Sequence, residues 1–174
     1  MKPRYVVDTN VLIAASAADP VHPTDIDATP EDPALRLKVW NWLRDFGSGP
    51  TRIVLDMAGK IQKEYRNKLD YNDFGLQVVI RKSDTNAVDY VEIAYDSNDD
   101  GCIPEELEPY VHDRADRKMV AAALESLSLF GEGCIAFAGE SDWHECEDEL
   151  IEFGLILEPI IEEWSRKKFE EKQK

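Results

Sequence analysis

Five acidic side chains in this sequence stand where a carboxylate can do chemistry, each after an apolar run or beside an apolar stripe. Asp8 closes the run Tyr5, Val6, Val7, and another apolar run begins straight after Asn10. Glu140 and Asp142 follow the run "CIAFAG". Asp116 lies four residues before Val120, in line with a buried helical stripe, and Asp113 precedes it by three, so the two acids share a face. Glu64 is three residues after Ile61, among Lys60, Lys63, Arg66 and Lys68. Each acid alone has a plain reading as a helix cap or a partner of a helix dipole. As a set they point further. Buried like charges repel unless something neutralises them. Hard cations such as Mg2+ or Mn2+ do so through carboxylate oxygens. A cation held this way lowers the pKa of a bound water and clamps a phosphate during in-line displacement.

These acids need a scaffold. Residues 4–8 read as a short buried strand, "TRIVLD" (51–56) as a second, 133–139 as a third, and "LILEP" as a short last one. "VDYVEIAY" reads as an exposed strand. Helices are expected over 10–17 with Asn10 as cap, over 34–46 and 57–69, and from near Asp70. Others are expected over 113–130, across "DWHECEDELIEF", and over a charged terminal stretch, 160–174. Residues 18–33, with four prolines and five acids, read as an acidic loop. The pattern weakens from 83 to 112, where "DSNDDGCIPEELEP" reads as a loop. Strands alternating with helices predict an α/β fold with a parallel sheet covered on both faces, in one domain spanning 1–174. In such a sheet, sites form at the carboxyl ends of the strands, so acids from distant stretches meet at one edge.

A chain of 174 residues is large enough to bury a substantial core, and a hydrophobic fraction of 43% is ordinary. No apolar run approaches the roughly 20 residues of a bilayer span. "VLIAASAA" is too short, and it follows an acid rather than a basic leader, so no membrane association or signal peptide is expected. Cys102, Cys134 and Cys146 form no CxxC pair and fit a reducing cytoplasm. The net charge of −16 is unlike that of most nucleic-acid binders. Its distribution matters more: from Arg36 to Lys82, ten basic residues face five acids, a local balance of +5 that leaves −21 for the rest. A basic rim on an acidic protein is one reading; a solvated surface is the other.

"VVDTNVLIAA" resembles the opening motif of PIN-domain ribonucleases, the family that includes VapC-type toxins. "KEYRNKL" resembles their second motif, with Glu64 as its acid, and "HDRADRKMVAAAL" the third, with Asp116. "CIAFAGESDW" resembles the last, with Glu140 and Asp142. The motifs run in the family's order over nearly the whole chain. Two departures stand out: Glu140 replaces the usual Asp or Asn, and Ala138 a common Thr. The stretches 18–33 and 83–112 are also longer than in compact members. The resemblance implies a PIN-like three-layer sandwich and a metal-dependent endonuclease acting on single-stranded RNA rather than DNA. It implies Asp8, Glu64, Asp116, Glu140 and Asp142 as catalytic ligands of Mg2+ or Mn2+, with Asn10 bracing the site through its amide. Lys60, Lys63 and Lys68 would then position substrate phosphates. A toxin, defence or RNA-processing role follows, with an antitoxin or regulatory protein as partner and a homodimer as the assembly. The competing expectation is a catalytically weak PIN-like module serving a protein or ribonucleoprotein assembly, which the acidic charge and long insertions favour.

Other chemistries fit less well. "DSNDDGCIPEEL" has the early spacing of a calcium loop, but Leu107 stands where the bidentate Glu belongs. His144 and Cys146 have no second pair at zinc spacing. No strand-elbow serine supports a triad hydrolase. Trp40, Trp42 and Trp143 read as core rather than as base-stacking platforms.

Overall fold

Three strands of this chain, Arg4–Val7, Arg52–Asp56 and Cys134–Phe137, are apolar along nearly their whole length, which suits strands covered on both faces. The computed structural model describes residues 1–22 and 26–174. In chain order the elements are β1 (Arg4–Val7), α1 (Thr9–Ser16), α2 (Pro33–Ser48), β2 (Arg52–Asp56), α3 (Lys60–Lys68) and α4 (Phe74–Asp84). There follow β3 (Val88–Val91), α5 (Arg114–Phe130), β4 (Cys134–Phe137), a single 3-10 turn (Asp142–Glu145), α6 (Glu147–Glu152), β5 (Ile156–Pro159) and α7 (Glu162–Lys172). All five strands are parallel, in the order β3-β2-β1-β4-β5. The α/β architecture is therefore a central parallel sheet flanked by helices, consistent with a PIN-like three-layer sandwich.

This order fixes where a site forms. From β1 the chain steps outward to β2 and β3, then returns to the other side of β1 as β4. Right-handed crossovers put the helices of the two halves on opposite faces. Accordingly α1, α2 and α4 pack on one another, while α5 lies along β1, β2, β3 and β4. The chain paths diverge between β1 and β4, whose register pairs Val6 with Ile135 and Val7 with Ala136. A crevice opens there beyond the strand ends.

The core fills both faces. Tyr5 packs edge-on against Trp42 and Phe46, with ring centroids 5.4 and 6.2 Å away. On α3, Ile61 and Tyr65 are buried, and Leu69 just past its end joins them. Two expectations are corrected. The cap of α1 is Asp8, because its carboxylate accepts the Asn10 amide hydrogen while Asn10 is already helical. The stretch 142–153 is not one helix: it breaks at Cys146 into the 3-10 turn and α6. Residues 96–109 form the expected loop, and the stretch around it packs on the fold. Ile103, Leu107 and Val111 are buried in the core, and β3 forms the sheet edge with Val88 and Val91 inward. The would-be calcium loop closes on itself, with Asp96 accepting the Asn98 and Asp100 amides. Of the 18–33 stretch, residues 23–25 lie outside the described residues. Its later part docks on the sheet end: Arg36 donates to the Ala28 and Pro30 carbonyls, and Ala28 is buried. Among the described residues, no helix is long and apolar enough to cross a membrane. All three cysteines are free thiols.

Candidate metal centre

Asp8 is the first residue past β1, and its amide still reaches across the ladder to the Ala136 carbonyl at 2.9 Å. That bond fixes the backbone between β1 and β4. The residue is extended (φ −61°, ψ 143°), so its side chain turns back over the start of α1. One carboxylate oxygen accepts the Asn10 amide at 2.7 Å, and the other accepts the Trp143 indole N–H at 3.0 Å. An ionised carboxylate has about four acceptor positions, so the cap leaves room for a cation. The capping and ligand readings of Asp8 therefore coexist.

Two further carboxylates converge on Asp8. Asp116 lies in the first turn of α5, whose start is capped by Asp113 through the Ala115 amide at 2.8 Å. Glu140 follows β4 through Gly139, which adopts φ +78° and lies against the Thr29 carbonyl. A side chain at 139 would meet that carbonyl, so only glycine makes this turn. The Asn10 side-chain amide then donates to Glu140 and holds it toward Asp8. One oxygen from each of Asp8, Asp116 and Glu140 lies within 4.8 Å of the others. The cluster has the donors and spacing to hold a metal ion.

The electrostatics agree. Two unit charges at about 5 Å repel by roughly 3 kcal/mol at an effective dielectric of 20. Three such pairs would rival the whole stability of an ordinary domain. Without a cation the cluster must therefore hold protons. Burial, then its neighbours' charges, raise the Asp116 carboxyl to about 9. Burial and Asp8 raise Glu140 to about 8, against the opposing Asn10 bond. Burial raises Asp8 to about 6, with Trp143 and the Asn10 amide pulling it down. Among the described residues, no Lys, Arg or His forms an ion pair with any of the three.

Glu64 and Lys68 line the same cleft, of about 270 Å³, together with Asp8, Asn10, Asp116 and Glu140. Glu64 is held otherwise than the three: Thr9 donates to it, and the Lys118 ammonium lies 2.5 Å away. Asp142 stands outside the cluster. It is half exposed, opens the 3-10 turn without capping a helix, and pairs with Lys172 of α7. Lys60 also points elsewhere, pairing with Asp99 and lying 4.0 Å over the Tyr95 ring. Lys63 and Arg66 are exposed on α3 and do not line the cleft.

Sequence reasoning missed Lys118, Thr9 and the polar role of Trp143. Thr9 follows Asp8 directly, and its placement was the one available signal. Lys118 gave none: it is buried on α5, where Gly101 packs on its backbone and a side chain at 101 would meet the Lys118 Cα at 2.6 Å. Asp56 was also missed, as a second buried acid at a strand end. It is structural, accepting the Lys60 and Ile61 amides at 2.9 and 2.8 Å and the Tyr95 hydroxyl at 2.8 Å. It takes the place of a side-chain cap for α3, since Gly59 has none to offer. No family model, curated protein or solved structure matches the chain.

Proposed function

We propose that this chain is a metal-dependent endonuclease that cuts single-stranded RNA. The observation that carries the reading is the convergence of Asp8, Asp116 and Glu140, from three separate elements, on one point at the sheet's switch. Three mutually repelling carboxylates, none of them ion-paired among the described residues, fit a cation better than they fit a structural role. The donors are all oxygen, which suits Mg2+ or Mn2+ rather than zinc or copper. His144 is turned away to Glu147 and Ser165. When bound, such an ion supplies charge for a phosphate's in-line displacement and lowers the pKa of a water. The chain's own residues do the rest. Trp143 and Asn10 orient Asp8, and Asn10 orients Glu140. Glu64, fixed by Thr9 and Lys118, faces the cleft where it can accept a hydrogen bond from the attacking water. Lys68 stands at the same cleft to meet a phosphate.

The resemblance to PIN-domain ribonucleases supports the choice of RNA. It alone carries the wider role: a toxin or defence effector in the cytoplasm, restrained by a partner protein and assembled as a homodimer. The testing experiment is cleavage of single-stranded RNA and DNA with Mg2+, with Mn2+ and with chelator. Metal-dependent cutting of RNA that Asp8→Asn abolishes is expected. Metal binding with no cleavage of either strand would favour the interaction module instead.

A further inference from the structure

A nucleic-acid strand needs cations along its path, and the cleft itself offers few. With Lys60 engaged by Asp99, Lys68 is the α3 lysine lining it. On the other side of Glu140 a second recess opens, of about 310 Å³, walled by Thr29, Trp164, Lys168 and Lys172. The two hollows share Glu140 as a common wall. Trp164, Lys168 and Lys172 recur every four residues on α7 and so form one stripe. The adjoining stripe, Ile161, Ser165 and Phe169, anchors the helix. Ser165 is buried and bonds the His144 ring at 2.9 Å, and Phe169 packs on that ring at 5.9 Å. His144 belongs to the turn just after Glu140, so α7 is tied to the site by buried contacts.

We propose that this recess carries the strand beyond the cut, with Trp164 stacking one base of single-stranded RNA and Lys168 and Lys172 holding the phosphates beside it. The inference rests on the nuclease reading and extends it to the substrate's path. Stacking on an indole tolerates any base, and paired lysines follow a backbone rather than a sequence. Both lysines are about half exposed, and their partners, Glu171 and Asp142, are half exposed too. Such surface pairs are weak and give way to a phosphate. Asp142 thereby gains a role: it parks Lys172 at the mouth of the recess next to Glu140.

The test is binding of a labelled single-stranded RNA across a salt series, with Ca2+ in place of Mg2+, alongside cleavage in Mn2+. The Lys168→Gln, Lys172→Gln double variant should bind more weakly and flatten the salt slope by roughly 1.4, about 0.7 per lost contact. Lys2→Gln, Lys38→Gln should leave the slope unchanged, as a control for net charge. Trp164→Ala should weaken binding on the order of tenfold, and Trp164→Phe should keep most of it; the Phe variant guards against loss of the fold. If the wild type binds and cleaves while the double variant alters neither affinity nor slope, the inference falls and the nuclease reading stands. An equal effect from the control pair also overturns it. A wild type that neither binds nor cleaves overturns both.

Discussion

The indole N–H of Trp143 donates to the Asp8 carboxylate at 3.0 Å, joining the turn after β4 to the end of β1. Both residues are buried. The bond favours the charged form of Asp8, which burial opposes. Trp143→Phe keeps the ring's place in the core and removes the donor. Asp8 should then hold its proton to higher pH, so Mn2+ affinity should fall more at pH 6 than at pH 8. Calorimetric titration at the two pH values checks this. An equal loss at both would mean that Trp143 acts only by packing.

The protonation of the cluster predicts an unusual pH profile. Asp8, Glu140 and Asp116 have folded pKa values of about 6, 8 and 9, all above ordinary carboxylate values. Between about pH 4 and 9 the metal-free folded protein holds more protons than the unfolded chain. Stability from these groups is therefore full below pH 4 and lost as pH rises through 6 to 9. The metal-free melting temperature should fall by several degrees from pH 6 to pH 9. Mg2+ or Mn2+ should restore more at pH 9 than at pH 6, because metal and protons compete. Asp116→Asn should flatten the metal-free curve. Melting curves over that range, with and without metal, decide the matter.

Glu140 and Asp142 are two residues apart and should behave differently. Glu140→Gln removes a cluster charge and should weaken metal binding at least tenfold while the metal-free melting temperature holds or rises. Asp142→Asn removes the charge from an exposed pair with Lys172, worth about 0–1 kcal/mol, and should leave metal affinity near wild type. Metal titrations and melting curves of both variants distinguish them; the reverse order would place Asp142 in the cluster.

Asp8 was legible because an apolar strand, an acid and an apolar helix follow one another without a gap. The parallel sheet was legible from strands that alternate with helices. Contacts between distant segments were not. That Asp142 leaves the cluster depends on the Gly139 turn and on Lys172, residues whose spacing says nothing of their meeting. Lys60 looked like part of a basic rim until Asp99 and Tyr95 claimed it. The 83–112 stretch looked loose because Ile103, Leu107 and Val111, although four residues apart, lie among acids and beside Pro104 and Pro109 and form no helix.

Asp56 supplies the contrast to Asp8. Both are buried acids at adjacent strand ends, but Asp56 is satisfied by two amides and a tyrosine hydroxyl. Asp56→Ala should cost about 2–4 kcal/mol, since it leaves buried donors unpaired. Its metal affinity should be unchanged in whatever fraction remains folded. Denaturant unfolding and Mn2+ titration together check both halves.

The most direct measurement is calorimetric titration of Mn2+ into the metal-free protein and its Asp8→Asn variant at pH 8, in two buffers of different ionisation enthalpy. Wild type should bind Mn2+ and release protons, because Glu140 and Asp116 give theirs up. Asp8→Asn, still folded, should lose that site. Equal binding by the two proteins, or binding without proton release, would contradict a metal centre built on Asp8, Asp116 and Glu140.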